Sequence, residues 1–342
     1  MESLIISVIG PYKSGKSTLV SKLQQKKGTE EDVSFFFFKY GGKDITLIDT
    51  PGDLDNPTLI ASVLSVSDAV LFCLPADAGV NAQVGEMIVL VDSAKIKQGL
   101  VCITKTDIST AQDIQRIKSS TAVLFKGTPL EKFDVIDIDI NSEQTIADMR
   151  AKISRLDYDQ SKSSRPFKFL VDNAFETKGM SVAVGFLTAG ELSIHATGII
   201  CPAPFTREMS VNSIQINQEE VQSANAGSRL GIAIKGVWPW DLPRGVEIRQ
   251  PDSFKDVKSG HIEADVSQLY KQPIMDGSKL NLVCNWQVRT ITLKNVKMEG
   301  KHLFADFESD NNFCFDGDDR IILLNKDLPI RMLRVVGRAV IS

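Results

Sequence analysis

The segment with the clearest chemistry lies near the start of the chain and reads Gly10-Pro11-Tyr12-Lys13-Ser14-Gly15-Lys16-Ser17. Its Gly-x4-Gly-Lys-Ser spacing is typical of a loop whose backbone N–H groups wrap phosphate oxygens. An apolar run precedes the loop and a helical pattern follows, so a helix N-terminus adds partial positive charge there. We predict that Lys16 pairs with the β- and γ-phosphates of a nucleotide and that Ser17 binds Mg²⁺.

Two further segments continue this chemistry. Asp49-Thr50-Pro51-Gly52 follows an apolar run, and an acid at that place suits the Mg²⁺ side of the phosphates, with the N–H of Gly52 facing the γ-phosphate. Thr104-Lys105-Thr106-Asp107 ends a later apolar run. The Asp107 carboxylate can accept two hydrogen bonds from guanine N1 and its exocyclic amine, which adenine cannot match, while the stem of Lys105 lies over the base. The three segments together predict a GTP site.

The elements that position these segments alternate along the first 155 residues. Apolar runs predict strands at Leu4–Ile9, Phe35–Tyr40, Ile45–Ile48, Ala69–Leu74, Leu100–Thr104 and Val135–Ile138. Helical periodicity predicts helices at Lys16–Gln25, Pro57–Val66, Ala82–Ala94, Ala111–Ser119 and Thr145–Ile153. This alternation predicts an α/β domain with a mostly parallel sheet covered on both faces. Gly41-Gly42 joins the second and third strands as an antiparallel hairpin.

The domain plan follows from changes in composition. We predict a nucleotide-binding domain at residues 1–156, a polar linker at 157–165, and two all-β barrel domains at 166–251 and 252–342. Phe35–Phe38 is expected to place half its rings in the core and half against a neighbouring domain. Trp238-Pro239-Trp240 is expected either at a domain junction or at a partner surface.

Composition limits the classes of partner. The formal net charge of -4 over 342 residues excludes a general polycation, which argues against DNA as a partner. The best local basic patch is the tail, with Lys326, Arg331, Arg334 and Arg338. Five cysteines without a CxxC pair argue against zinc and for a reduced, cytoplasmic setting, and no apolar run is long enough to span a membrane.

In order and content, these motifs resemble those of translational GTPases of the elongation-factor type. Ala76–Val80 and Ala82–Glu86 resemble the stretch before the family's guanine motif, while Ala226–Gly231 and Leu242–Gly245 resemble its second domain. The nearest resemblance is to the selenocysteine-specific factors of archaea, and beside them to elongation factor Tu and the gamma subunit of initiation factor 2. The resemblance implies a P-loop G domain followed by two β-barrels. It also implies GTP/GDP and Mg²⁺ as cofactors, aminoacyl-tRNA and the ribosome as partners, and a monomer.

Departures from the family pattern concern the phosphate end of the site. The family loop usually has His and Asp where this chain has Pro11 and Lys13, and a lysine there adds positive charge that could tighten binding or replace a missing contact. The resemblance assigns the family threonine that closes on Mg²⁺ to Thr29, with Ser34 or another residue of that loop as the alternative. The family histidine that orients the attacking water is replaced by Asp53. A carboxylate opposes the negative charge that develops in the transition state, so we expect slow or partner-dependent hydrolysis.

The sequence and the resemblance together name the residues expected at the site. Candidate nucleotide contacts are Lys13, Ser14, Gly15, Lys16, Ser17, Thr18, Gly52, Thr104, Lys105, Asp107 and Asn141, the last standing where the family's fifth motif is imperfect. Candidate Mg²⁺ ligands are Ser17, Thr29 and Asp49. The leading hypothesis is an elongation-factor-like carrier of a specialised aminoacyl-tRNA. The alternatives are a non-hydrolysing GTP-bound regulatory protein on the same scaffold and a nucleotide-dependent subunit of a metabolic enzyme.

Overall fold

The computed structural model describes residues 2–24, 33–52 and 56–342 of the chain. Strands and helices alternate up to Ser154, as the apolar runs predict. The strands of this part are β1 (Glu2–Ile9), β2 (Ser34–Tyr40), β3 (Lys43–Asp49), β4 (Ala69–Pro75), β5 (Gly99–Thr104) and β6 (Asp134–Asp137). The helices are α1 (Lys16–Leu23), α2 (Pro57–Val66), α3 (Ala82–Ser93), α4 (Ala111–Leu124) and α5 (Glu143–Ser154).

One sheet with the order β2-β3-β1-β4-β5-β6 forms the centre of this domain. All its pairings are parallel except β2 with β3, which confirms the hairpin. Gly41 and Gly42 have φ values of 59° and 79°, the left-handed conformation that a two-residue hairpin turn requires. Helices α1 and α5 pack on one face of the sheet and α2, α3 and α4 on the other, each over its own apolar core.

The second half of the chain is all β, as its turn-rich pattern predicts. Its first nine strands are β7 (Lys168–Thr177), β8 (Met180–Ala189), β9 (Glu191–Ser193), β10 (Thr197–Cys201), β11 (Arg207–Ile216), β12 (Glu219–Val221), β13 (Ser223–Asn225), β14 (Arg229–Ile234) and β15 (Glu247–Arg249). The remaining strands are β16 (Lys255–Val266), β17 (Lys279–Cys284), β18 (Gln287–Glu299), β19 (His302–Phe315), β20 (Ile321–Leu324) and β21 (Val335–Ile341).

These strands close two six-stranded antiparallel barrels. The ring β10-β15-β7-β8-β14-β11 closes through the β10–β11 pairing and forms the first barrel, with β12 added at its edge. The ring β16-β19-β18-β17-β20-β21 forms the second barrel. The expected fold class is therefore confirmed. The break expected near Pro251 falls between β15 and β16.

The segment between the sheet domain and the first barrel is docked on both of them. Residues Gln160–Ser164 form a 3-10 helix. The Lys162 ammonium pairs with Asp68 of the sheet domain, while the Lys162 carbonyl accepts from Gly190 N in the first barrel at 2.8 Å. Close by, Tyr158 Oη donates to Ala226 O at 3.2 Å. The boundaries predicted for the domains remain our proposal.

The sheet domain packs directly on both barrels. A Cβ added at Gly227 of the first barrel would lie 1.9 Å from Ser3 O of β1, so only glycine permits this approach. Arg320 of the second barrel donates to Ser67 O and Leu64 O, at 2.6 Å and 3.3 Å, and so satisfies carbonyls at the C-terminus of α2. The three parts of the chain are thus held in one arrangement.

The aromatic run Phe35–Phe38 alternates across β2 as expected. Phe36 and Phe38 lie in the core beneath α1 and α5. On the opposite face, Phe35 contacts Phe186 of the first barrel and Trp286 of the second, with ring centroids 5.3 Å and 6.2 Å away. The prediction that part of the run packs on a neighbour is confirmed for Phe35, whose neighbours are the two barrels.

The cysteines and the Trp238–Trp240 pair lie in contrasting environments. All five cysteines are buried, which suits small apolar side chains. The domain-junction expectation for the Trp238 and Trp240 rings is wrong: they stack on each other with centroids 4.9 Å apart and are 51% and 68% exposed. Within the described residues, no helix has both the length and the apolar character needed to cross a bilayer.

A buried ionic cluster joins the two barrels. Arg249 of β15 is 1% exposed and pairs with Glu247 on its own strand and with Asp316 and Asp319 of the second barrel, at 2.6 Å to 2.7 Å. Lys168 of β7 pairs with the same two aspartates. Burial alone would raise the pKa of Asp319, but the charges of Lys168 and Arg249 outweigh it and hold this pKa well below its usual range.

We expect Asp319→Asn to lower the free energy of unfolding by about 3 kcal/mol at neutral pH, because it leaves two buried cations short of a partner. Since the pKa is depressed in the folded state, the contribution of Asp319 is complete above the unfolded pKa of about 3.9 and declines as pH falls below it. Denaturant unfolding at neutral pH and below pH 4 measures both effects. Asp318→Asn is the matched control, because its side chain is 58% exposed. Equal losses in the two variants would contradict the argument.

Candidate functional site

The loop between β1 and α1 forms the wall of a cavity of about 460 Å³. Its backbone depends on close approach and unusual torsions: a Cβ added at Gly10 would lie 2.3 Å from Cys73 O, and Gly15 has a φ of 81° where α1 begins. The cavity lining includes the whole stretch from Tyr12 to Thr18, together with Ser34 and residues 49–52. The structure therefore brings together the expected phosphate-side residues Lys13, Ser14, Gly15, Lys16, Ser17, Thr18, Asp49 and Gly52.

Lys16 is the buried cation of this cavity. Its Nζ donates to Gly10 O at 2.7 Å and to Pro11 O at 3.0 Å, so the ammonium is held beneath the loop. Burial lowers the pKa of Lys16 from its ordinary value. A nearby anion stabilises the charged form of a buried ammonium far more than that of an exposed one. This is the property that a phosphate-binding lysine needs.

Ser17 and Asp49 provide oxygen atoms that fit a divalent cation. Ser17 Oγ donates to Asp49 Oδ2 at 2.6 Å. Asp49 Oδ1 is buried and has no hydrogen-bond partner among the described residues, and burial raises the pKa of this carboxyl. A buried carboxylate oxygen left unpaired beside a hydroxyl suits Mg²⁺, which prefers oxygen ligands. The residues present therefore fit the metal that the sequence predicts.

The third expected Mg²⁺ ligand, Thr29, lies outside the described residues. Its alternative, Ser34, begins β2 and is paired in register with Asp49 of β3. Ser34 also lines the cavity. The structure thus places the alternative at the metal side of the site.

Gly52 closes the far end of the cavity. A Cβ added there would lie 2.7 Å from Lys16 Nζ and 2.8 Å from the backbone of Tyr12, so the strand-end segment lies directly against the loop. Gln83 of α3 donates to Gly52 O at 2.5 Å and fixes the orientation of this peptide. Asp53, the residue at the position of the family histidine, lies outside the described residues.

The base-side residues form an adjoining group. Thr104 Oγ1 donates to Ser14 O at 2.5 Å and so ties the end of β5 to the phosphate loop. Asn141 Nδ2 donates to Asp107 Oδ2 at 3.2 Å, which brings the imperfect fifth motif beside the residue expected to read the base. The residues predicted to contact guanine therefore meet at the ends of β5 and β6.

Lys105 is oriented at the edge of this group. It has a φ of 60°, and its ammonium pairs with the Asp77 carboxylate at 2.8 Å. The backbone of the same strand end is fixed by Ala76 N, which donates to Thr104 O at 3.0 Å. A lysine held at its tip presents its apolar stem as a flat surface, which suits the role of covering a base.

Sequence reasoning missed the link from this site to the second barrel. Glu86 of α3 accepts two bonds from the Arg334 guanidinium, at 3.0 Å and 2.6 Å, and one from Arg334 N at 3.0 Å. Arg334 is 2% exposed, so the prediction that it belongs to a basic patch in the tail is wrong. The other tail residues, Lys326, Arg331 and Arg338, are exposed. No local sequence pattern connects an acid on a helix face with an arginine far along the chain, so this ion pair could not be predicted.

The fold and the cavity define a class of protein: a P-loop nucleotide-binding domain of the G type, followed by two antiparallel barrels. The known proteins that the chain resembles narrow this class. A family model described as the elongation factor Tu GTP binding domain matches residues 25–189. This match begins after the loop at residues 10–17, where the chain departs from the family pattern.

Three similar proteins agree with that class. A selenocysteine-specific elongation factor of Methanocaldococcus jannaschii is 24% identical over 98% of this chain and 79% of its own length. An uncharacterized protein of the same organism is 22% identical over 98% of this chain and 99% of its own length. The crystal structure of elongation factor SelB from Methanococcus maripaludis with the GTP analogue GppNHp has a TM-score of 0.89, at 23% identity, and covers 100% of this chain and 79% of that one. These findings confirm the resemblance to translational GTPases of the elongation factor Tu and SelB type.

We expect Gly52→Ala to weaken guanine-nucleotide binding by about tenfold or more, because the added methyl group would displace the Lys16 ammonium or the loop backbone. Gly79→Ala is the matched control, since a Cβ there meets nothing within 4 Å. Calorimetric titration of both variants with GDP and a GTP analogue measures the difference. Unchanged affinity in Gly52→Ala would show that the cavity is not the nucleotide site.

Proposed function

We propose that this chain is a GTP-dependent carrier on the translation-factor scaffold, which delivers a specialised aminoacyl-tRNA in the cytoplasm. One observation supports this most strongly. Residues that line the phosphate cavity, or that bond to its lining, are neighbours along a strand or one helix face of residues that hold the two barrels. A change at the terminal phosphate would therefore reach the surfaces between domains by short, packed connections.

The nucleotide is held by the residues that the structure brings together. Lys16 and the loop amides would bind the phosphates, Asp107 and Asn141 would bind guanine, and Ser17 with Asp49 would hold Mg²⁺. When bound, the metal would neutralise phosphate charge at that point. The solved SelB relative was crystallised with a GTP analogue, which supports the same ligand for this chain.

The first connection runs along β2. Ser34 lines the cavity, and the next residue, Phe35, packs between the barrels against Phe186 and Trp286. The Arg229 guanidinium of the first barrel lies 4.6 Å from the Phe35 ring centroid, within the range of a cation–π contact. Movement of β2 by one residue would therefore alter both the cavity and this junction.

The second connection runs along α3. Gln83 holds the carbonyl of Gly52 at the cavity, and Glu86, three residues later on the same helix face, binds Arg334 of the second barrel. Arg334 is fully desolvated, so its pairing with Glu86 is sensitive to small displacements of the helix. The position of Gly52 and the docking of the second barrel are thus linked through one turn of helix.

We propose that the carried amino acid binds beside the first connection. Asp172 of the first barrel is buried and pairs with Arg244 at 2.8 Å and with Arg229 at 3.5 Å. The buried Arg229 Nε has no hydrogen-bond partner among the described residues. An arginine with a donor to spare, next to a carboxylate, suits a polar or charged side chain, such as that of a non-standard amino acid. We assign the cargo pocket to this region of the first barrel.

Hydrolysis is expected to be slow or to depend on a partner. Asp53 stands where the family has a histidine, and the sequence has no histidine before His195 to replace it. Asp53→His should raise the single-turnover rate of GTP hydrolysis by about a hundredfold, because an imidazole can hold the attacking water without adding negative charge. Asp53→Asn is the control that removes charge alone and should give a smaller gain. A wild-type rate as high as that of Asp53→His would refute the expectation.

The function is tested by RNA capture from a pool of aminoacylated tRNA. The full chain loaded with GppNHp should retain at least about tenfold more RNA than the chain loaded with GDP. Phe35→Leu should keep its nucleotide affinity and lose this difference, because it removes the junction contact and leaves the cavity intact. Sequencing of the RNA, with identification of its attached amino acid, names the cargo.

The same experiment separates the alternative function. A protein that binds GTP only for structure or regulation would show equal RNA retention with both nucleotides, or none. Asp53, Pro11 and Lys13 favour that alternative, because each departs from the catalytic pattern of the family. The two connections from the cavity to the barrels favour the carrier.

A further inference from the structure

We infer that Lys13 is a built-in cation for the terminal phosphate, which makes this site prefer GTP to GDP through a residue of its own loop. The inference rests on the proposed function, since it concerns the same cavity. It goes beyond that function because it assigns the discrimination between triphosphate and diphosphate to one named side chain.

The position of Lys13 follows from the contact between the loop and Gly52. The backbone of Tyr12 would be 2.8 Å from a Cβ at Gly52, so this part of the loop touches the strand-end segment. Ser17 and Asp49 mark the metal side of the same cavity. Tyr12 and Lys13 therefore lie at the end of the cavity expected to hold the γ-phosphate, and both line it.

The Lys13 side chain is available there as a charge. Lys13 is exposed, and its Nζ lies 5.3 Å from the centroid of the Tyr12 ring, which is itself 69% exposed. Its ammonium makes no ion pair with any carboxylate of residues 2–24, 33–52 or 56–342. A cation resting on an aromatic face beside a polyanion site can turn toward an anion without first breaking a salt bridge to any of those residues.

The backbone of Lys13 adopts an unusual conformation. Its φ of 59° lies in the left-handed region, where glycine or asparagine is tolerated at lower cost. The strain is the kind that persists where a side chain has a task at a site.

Lys13 and Lys16 would then have different roles, because one side chain is exposed and the other is buried. Lys16 is buried beneath the loop and would serve any nucleotide with a β-phosphate, whereas Lys13 is exposed beside the Gly52 segment and would contact the nucleotide through its third phosphate. An additional charge-assisted contact made only to the triphosphate raises its affinity and leaves that of the diphosphate unchanged. The loop thereby favours the GTP-bound state without help from a partner.

The test is calorimetric titration of the nucleotide-stripped full chain, in Mg²⁺, with GDP and with GppNHp. Lys13→Gln should weaken GppNHp binding by about tenfold and change GDP binding by less than about twofold. Lys13→Arg should retain the selectivity, because it keeps the charge. Lys13→Gly should lose the selectivity as Lys13→Gln does, which separates the charge from the backbone strain.

Lys22→Gln is the matched control, because it removes the same charge from the exposed last turn of α1. It should leave both affinities unchanged. Equal weakening of GDP and GppNHp in Lys13→Gln, or no weakening of either, would overturn the inference while the proposed function stands. Absence of binding in the unmodified chain would instead remove the proposed function.

Discussion

The structure depends on two buried groups of opposite charge that face one cavity, Lys16 and Asp49. Burial disfavours the charged form of both, which lowers the pKa of the ammonium and raises that of the carboxyl. Neither group fully satisfies the other, because the lysine is held by loop carbonyls and one carboxylate oxygen is unpaired among the described residues. The cavity is therefore arranged for a ligand that brings both negative phosphate and a divalent cation.

That requirement explains the contacts that surround the cavity. A side chain at Gly10 or Gly52 would strike the backbone or the buried ammonium, and Gly15 has a left-handed φ of 81°, so the loop can close tightly around phosphate. Thr104 and Gln83 fix the loop and the Gly52 peptide from neighbouring elements. Because β2 and α3 continue from the cavity to Phe35 and Glu86, the same rigidity extends to both barrels. The cavity and the contacts that dock the barrels therefore form one packed system in this chain.

Local sequence was sufficient for most of the fold and for the centre of the site. The apolar runs located six strands and five helices of the sheet domain, because their periodicity depends only on which face is buried. The loop motif located Lys16 and Ser17 for the same local reason. The contacts of Phe35 with Trp286 and of Glu86 with Arg334 could not be predicted, since each joins residues about 250 positions apart through tertiary packing. The prediction of a basic tail patch was wrong for Arg334, because composition does not indicate which charged side chain is buried.

The departures from the family pattern act in the same direction. In the proposed mechanism, a negative charge at Asp53 would oppose the hydrolytic transition state, while a positive charge at Lys13 would hold the bound triphosphate. The first change would slow hydrolysis and the second would slow loss of the triphosphate, so both would prolong the GTP-bound state. A switch built in this way would remain in its GTP-bound arrangement until another molecule supplies the missing group. Its release of cargo would then be set by the encounter with that partner, and the intrinsic chemistry of the nucleotide site would not limit how long the cargo is held.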